Sequence, residues 1–338
     1  MAFRYLLMRV VASVAMAATA TLVVFLIAHI VPADPVLAQL GDKAAANPDL
    51  VARFRARWAL DRPLAEQYWI FVTRLLQGDL GESIASRRPV LDDIKQYLPA
   101  TIELATLAAI LTLLVGVPLG VLSAVKRDSW LDHASRIGCL VGVSAPTFWL
   151  AFLVLAIFYG GLQIAPSPGR LDPGAVPPPH VTGLFLLDSL LARDFATWRS
   201  ALAHMILPAV VLAASTVGLI SRSTRASMLE TLGQDYIRAA RSKGLTEASV
   251  IARHAVPNAL IPVVTLGGLA YAELLAGTVL TETIFSWPGL GRYTYQSAIA
   301  LDFPAILGVT LLVAVIYLLM NFIVDLSYLL IDPRVARR

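Results

Sequence analysis

The sequence predicts an all-α polytopic membrane protein with six transmembrane helices. Three observations carry that prediction. Of 338 residues, 57% are hydrophobic and only 15% charged, against about 25% charged in ordinary soluble domains. The mean hydropathy is +0.71, more apolar surface than a soluble chain of this size hides from water. Six stretches also lack Asp, Glu, Lys and Arg over the length that crosses a bilayer core as a helix. A soluble enzyme, a disordered regulator and a secreted disulfide scaffold are excluded. The single cysteine, Cys139, permits no internal disulfide and lies in an apolar run.

The charge-free stretches are Val10–Ala33, Leu104–Val125, Ile137–Gly169, Ser200–Ser221, His254–Ala272 and Phe303–Val324. The third exceeds one span, and its tail from Pro166 reads as loop. The fifth runs from about Ala259 to Leu280 and carries Glu273 inside it. No stretch alternates with the ten-residue pattern of a barrel strand. The first follows Arg4 and Arg9 but is longer than a signal-peptide core and has no small-x-small cleavage site, so it reads as an uncleaved span. Gly116-x-x-x-Gly120 and Gly138-x-x-x-Gly142 are spaced for close helix approach in lipid.

Lys and Arg set the orientation. With the N-terminus inside, the cytoplasmic segments carry 14 basic residues and the short outer loops 4. The outer segment 32–98 carries nine more, but loops of that length translocate regardless of charge. Both termini are therefore expected in the cytoplasm. The net charge of +4 reflects these loops rather than a nucleic-acid surface. Within the segment 32–98, Leu50, Phe54 and Trp58, then Leu64, Tyr68, Phe71 and Leu75, have helical spacing and predict short amphipathic helices at the outer surface. Pro177-Pro178-Pro179 predicts an extended second outer loop. The expected organisation is a first span plus outer segment over 1–98, a five-helix core over 99–330 and a basic tail over 331–338.

Catalytic signatures are missing. There is no phosphate-cradling G-x-x-x-x-G-K-[ST] and no metal-binding His-Glu-x-x-His, and the five histidines are scattered. Gly142-Val143-Ser144 lacks a histidine base in the interior of the last two spans, His254 sitting only at the edge of the fifth. Four carboxylates lie in or beside spans: Glu103, Glu273, Glu282 and Asp325. Glu103, Glu282 and Asp325 sit near span ends and are expected to be solvated or helix-terminal. Glu273 lies deeper. It either lines a hydrophilic pathway or pairs with a polar neighbour such as Asn321.

The long inner loop 222–258 holds six basic and three acidic residues. Gln234 or Asp235 starts a helix there, Asp235 suits its positive end, and Arg241 and Lys243 suit its negative end. Gly244 takes the C′ position, and Thr246 caps a second helix with Glu247 in its first turn. Pro257 ends the loop. Ala239-Ala240 makes one side flat enough for a protein partner to approach; the alternative is a merely solvated basic loop.

Arg238-Ala239-Ala240-x-x-x-Gly244, followed after nine residues by His254-x-Val256-Pro257, resembles the EAA loop of bacterial ABC importer permeases. Both alanines, the glycine and the proline match; Arg238, His254 and Val256 replace the family's glutamate, isoleucine and leucine. Tyr236 through Leu245 is similar to the peptide-permease version of this loop. Gly78-Asp79-Leu80-Gly81-x-Ser83, Leu98-Pro99-Ala100-Thr101-x-Glu103-Leu104, and Phe285-Ser286-Trp287-Pro288-Gly289-Leu290-Gly291 extend the resemblance to the dipeptide/oligopeptide/nickel branch.

The resemblance implies a type I importer permease fold in a bacterial inner membrane. It implies a second homologous permease, two ATPase subunits that hold ATP and Mg, and a periplasmic or lipid-anchored peptide-binding protein; this chain itself carries no cofactor and is not an enzyme. It implies that Asp235, Tyr236, Arg238, Ala239, Ala240, Arg241, Lys243, Gly244 and Pro257 couple the chain to an ATPase. The turn at Trp287, Pro288 and Gly289 touches the binding protein, caps the cavity, or packs on its own outer helices. The competing class is a stand-alone secondary transporter using Glu273 and Asp325.

Overall fold

The computed structural model describes residues 2–30, 48–49, 51–52, 62–276 and 278–331. The Leu50, Phe54 and Trp58 pattern and residues 332–338 of the tail lie outside the described residues. The described chain is helical, with one isolated antiparallel bridge between Glu82 and Pro89.

Five helices are long and apolar enough to cross a membrane. They are α1 (Ala2–Ile30), α3 (Val90–Val125), α7 (Phe195–Leu232), α9 (Glu247–Ala276) and α12 (Phe303–Ile331). Shorter helices are α2 (Leu64–Leu76), α6 (Phe185–Leu191), α8 (Asp235–Ser242), α10 (Val279–Ile284) and α11 (Leu290–Ile299). The expected third span is broken. Helices α4 (Trp130–Ser144) and α5 (Thr147–Gly161) form a pair bent by 102°. The cause is local: Pro146 donates no backbone hydrogen bond and pushes Ala145 out of the helical region, to φ −76°, ψ 127°. The last turns of α5, Leu155–Gly161, are π-helical.

Helices α3 and α7 are the pillars. At about 1.5 Å per residue both far exceed the roughly 30 Å hydrocarbon core, so they carry charged residues into water at their ends. Charge-free windows therefore underestimate them. The two helices approach closely where Gly116 and Gly120 lie. A Cβ on Gly120 would sit 2.6 Å from the Ser221 carbonyl oxygen, and one on Gly116 3.0 Å from Ile220 Cγ2. Thr112 and Thr216 share a buried hydrogen bond of 2.6 Å between the same helices. In the second glycine pair only Gly142 serves this purpose, 2.8 Å from the Ala214 carbonyl oxygen by the same measure; a Cβ on Gly138 meets nothing within 4 Å. Gly120→Leu is therefore expected to destabilise the protein by roughly 1–3 kcal/mol through overpacking, and Gly138→Leu to leave the detergent-solubilised Tm unchanged. Equal Tm values for the two variants would contradict this packing.

Helix α1 leans on α12, where Arg9 Nη1 pairs with Asp325 Oδ2 at 2.7 Å. Its C-terminal half receives α2: Tyr68 hydrogen-bonds Thr21 at 3.0 Å, and the Phe25 and Tyr68 rings meet edge-on at 5.4 Å. The spacing of Leu64, Tyr68, Phe71 and Leu75 thus marks a real helix, whose Tyr68 and Phe71 meet α1.

Candidate functional site

The loop 222–258 folds largely as its sequence chemistry directs. Gln234, at φ −75° and ψ 151°, precedes α8, Asp235 lies in its first turn and Arg241 in its last. Gly244 takes φ +77°, a conformation that L side chains avoid. Its N–H donates to the Arg241 carbonyl at 2.9 Å. The Thr246 side chain caps the start of α9 by accepting from the Ser249 N–H. Arg241 then grips Glu247 through Nε at 2.7 Å and Nη2 at 3.3 Å, fastening the end of α8 to the start of α9.

An eight-residue helix is not stable alone, so its packing decides its position. Ile237 and Ala240, three residues apart on one face, are buried. They enter an apolar cluster with Ala124 of α3, Met228 of α7, and Val250, Ala255 and Ala259 of α9. Asp235, Tyr236, Arg238, Ala239, Arg241, Lys243 and Gly244 remain exposed. The two alanines therefore do not form one flat outer face: Ala240 is part of the seat and Ala239 looks outward. Arg238 pairs with Asp235 at 3.1 Å, both largely solvated.

Pro257 does not end the loop. It lies ten residues inside α9, two positions after the end of the π-helical stretch Val250–Ala255. A π-turn inserts a residue just where proline removes a hydrogen bond and crowds the preceding turn, so the helix continues past it.

On the opposite side of the molecule, three motifs far apart in sequence meet. Trp287 is fully buried and its indole N–H donates to the Ala100 carbonyl at 2.9 Å. Glu282, also fully buried, accepts from Thr101 Oγ1 at 2.7 Å, Thr278 Oγ1 at 2.8 Å and the Arg292 N–H at 3.0 Å. Burial pushes its carboxyl upward, and these donors only partly offset that. Thr101 Oγ1 in turn accepts from the Leu290 N–H at 2.8 Å. Ser83 Oγ, from the first motif, donates to Asp302 at 2.5 Å, at the start of α12.

Glu103, in the N-terminal half of α3, accepts from Arg170 Nη2 and from the Leu186 N–H, both at 2.6 Å. The Arg170 guanidinium lies 3.5 Å over the Phe185 ring, which staples the loop between α5 and α6 to α3. Burial pulls the Arg170 pKa down while Glu103 opposes the shift. The same loop is closed by Asp188. Burial works against ionisation of its carboxyl, but donors from Thr182, Gly183 and Val181 outweigh burial and hold it below the ordinary range.

Several expectations are corrected by this geometry. Glu103 and Glu282 are not solvated; each is buried and pinned by donors, and Asp325 is held by Arg9. In the Trp287-Pro288-Gly289 turn, Trp287 points inward and locks the turn to α3. Glu273 lies exposed on α9, and Asn321 is half-buried on α12. Among the described residues no hydrogen bond joins them. The Glu103–Arg170 staple was invisible in sequence, since Arg170 stands in a loop with no pattern around it. Ile237, the seat of α8, was missed in the sequence, though its three-residue spacing to Ala240 puts both on one face.

Comparison with known proteins gives this arrangement a family. Residues 116–337 match the family model described as binding-protein-dependent transport system inner membrane component, and residues 2–105 match the model of its N-terminal region. The chain belongs to this family. Among similar permeases is the probable D,D-dipeptide transport system permease protein DdpB of Escherichia coli K12, 48% identical over 93% of this chain and 92% of that protein. The dipeptide transport system permease proteins DppB of Alkalihalophilus pseudofirmus and of Escherichia coli K12 are 43% and 41% identical, over 93% and 94% of this chain and 94% of each relative. A solved structure of the MetNI methionine ABC transporter in inward-facing conformations shares the fold: TM-score 0.51 at 16% identity, covering 71% of this chain and 96% of that one. The permease is thus an all-α, multi-pass inner-membrane component of a bacterial ABC importer with the type I fold. The stand-alone secondary transporter does not fit this family.

Proposed function

We propose that the permease forms, with a second homologous permease, the pathway of an ATP-driven importer for dipeptides or short oligopeptides. The substrate class is supported by the names of relatives that align along nearly the whole chain. The observation that carries the coupling role is the seating of α8: Ile237 and Ala240 hold it against three helices while its outward face is bare. In this reading that face, with Asp235, Tyr236, Arg238, Ala239, Arg241 and Lys243, enters a groove on one of two ATPase subunits. Ala240 sets its position from behind, Gly244 follows its end, and Pro257 lies further on in α9. ATP and Mg reside in those subunits, and this chain holds no cofactor. The basic-residue asymmetry supports cytoplasmic termini, which puts α8 on the ATPase side and the Trp287 region outside. A periplasmic or lipid-anchored binding protein delivers the peptide there. Residues 1–98 then form the outer segment with its anchoring span, and 99–330 the pathway core.

ATP binding closes the ATPases and moves the paired α8 helices, exchanging an inward-open for an outward-open cavity. ATP supplies the difference in binding energy between the two states. Purification from native membranes with its bound chains tests the assembly. A second permease and an ATPase should accompany it, and hydrolysis should rise with peptide-loaded binding protein. Ala239→Trp should abolish that stimulation while leaving the permease folded. Peptide uptake by the chain alone, under an ion gradient and without ATP, would overturn the reading.

Glu273, exposed on α9, is assigned to the pathway wall. Glu273→Gln is expected to lower peptide uptake by roughly fivefold or more, the scale of a coupling free energy of about 1 kcal/mol, with assembly intact. Unchanged uptake kinetics would remove Glu273 from the pathway.

A further inference from the structure

Ten residues before α8, Arg225 of α7 reaches across to the first turn of α4. Its Nε donates to Asp132 Oδ1 at 2.9 Å and its Nη2 to Oδ2 at 2.7 Å. Asp132 is fully buried, and it gathers two further donors: Ser123 Oγ of α3 at 2.5 Å and the Asp128 N–H at 3.1 Å. Ser135 of α4 completes the cluster with a 3.0 Å hydrogen bond to Ser123. Four donors from three separate segments thus converge on one carboxylate.

Stability alone is a poor explanation for such a group. A buried ion pair recovers about what its desolvation costs, and an apolar pair of the same volume would hold the helices as well. What a two-pronged guanidinium–carboxylate pair adds is fixed geometry. Its location makes that geometry matter. Helix α8 already rests on α3, α7 and α9 through Ile237 and Ala240. Helix α4 makes no contribution to that cluster of buried residues, yet it is the inner half of the span that is bent by 102° at Ala145-Pro146. A broken span is free to pivot at its break unless its other end is held.

We propose that the Arg225–Asp132 pair is a transmission clamp: it makes α4 move as one body with α7 and α8, so that displacement of the coupling helix is delivered to the break in the third span. Arg225 and Asp132 are positioning residues, touching neither peptide nor nucleotide. This inference rests on the reading of α8 as the coupling helix.

The test uses the full complex with its partner subunits, in proteoliposomes. In an otherwise native permease carrying Cys139→Ser, spin labels are placed at exposed Ala134 on α4 and exposed Glu230 on α7. The expected result is one narrow distance distribution that does not change when ATP and vanadate trap the closed ATPases. A shift or splitting of that distribution in the native background overturns the clamp, whatever any variant does. Asp132→Asn is expected to keep basal ATP hydrolysis, to broaden the distribution, and to lower peptide uptake per ATP at least about tenfold, a conventional coupling loss. Arg225→Lys, which keeps charge but loses the fork, should fall between. Uptake per ATP equal to wild type in Asp132→Asn also overturns the proposal. Ile237→Asp separates the two readings. If it leaves coupling intact, the assignment of α8 fails; if it uncouples while Asp132→Asn does not, the clamp alone fails.

Discussion

Gly289→Ala is expected to remove most of the folded permease from the membrane. The reason is space, not backbone conformation, since Gly289 has φ −111° and is extended. A Cβ at this position would lie 2.5 Å from both Cδ and Oε2 of Glu282 and crowd Oε1 as well. The carboxyl has no retreat. Thr101, Thr278 and the Arg292 N–H hold it, and it is fully buried. Overpacking costs about 1–3 kcal/mol, and breaking a buried hydrogen-bonded group adds a similar amount. Together these approach the whole stability of a small domain, about 5 kcal/mol at the low end. The loss is read as a fall in monodisperse protein and in Tm after detergent extraction. Combining Gly289→Ala with Glu282→Ala should cost less than the sum of the two, because the second change removes the group the first collides with. Strict additivity, or a Gly289→Ala protein with native Tm, would show that Glu282 does not fill this space.

The second large effect is functional. Ile237→Asp should leave the spans folded but cut peptide-coupled ATP hydrolysis by more than about tenfold, which requires only about 1.4 kcal/mol. The substitution puts a carboxylate among Met228, Val250 and Ala255. Burying an unpaired charge there costs several kcal/mol, more than an eight-residue helix gains from its own hydrogen bonds. Helix α8 then leaves its seat. Ala239→Asp, on the exposed face of the same helix, is the control for α8 staying seated, read by unchanged protease resistance of the loop 233–246. Equal protection in the two variants would contradict the seat.

The two effects differ because the sites are built differently. On the α8 side a small helix is fastened by two apolar side chains and one exposed ion pair, Arg241–Glu247, so it is separable from the spans. Around Glu282, polar groups from α3, α10 and α11 share one buried network with Trp287 beside it. Such a network tolerates no partial loss. Asp132 and Arg225, with Ser123, form a network of the second kind ten residues before α8.

Five of the six expected spans, the short helices at Leu64–Leu76 and Asp235–Ser242, the cap at Thr246 and the positive φ at Gly244 were legible in the sequence by itself. Each is set by local chemistry: apolar length, three- and four-residue spacing, a hydroxyl before a helix, a residue without Cβ after one. The break at Pro146 carried a local signal too, which a charge-free window passes over because proline is apolar. What only the tertiary structure decided is the fate of the polar groups. Whether Glu103, Glu282 and Asp325 meet water or a partner depends on Arg170, Thr101 and Arg9, which lie 67, 181 and more than 300 positions away in the chain. Ala239 and Ala240 are alike as residues, and only the packing of α8 against Ala124 and Val250 sends one inward and leaves the other out. Local patterns report the free energy of a segment in its solvent; burial and pairing are properties of the contacts between segments, and those form only when the chain is folded.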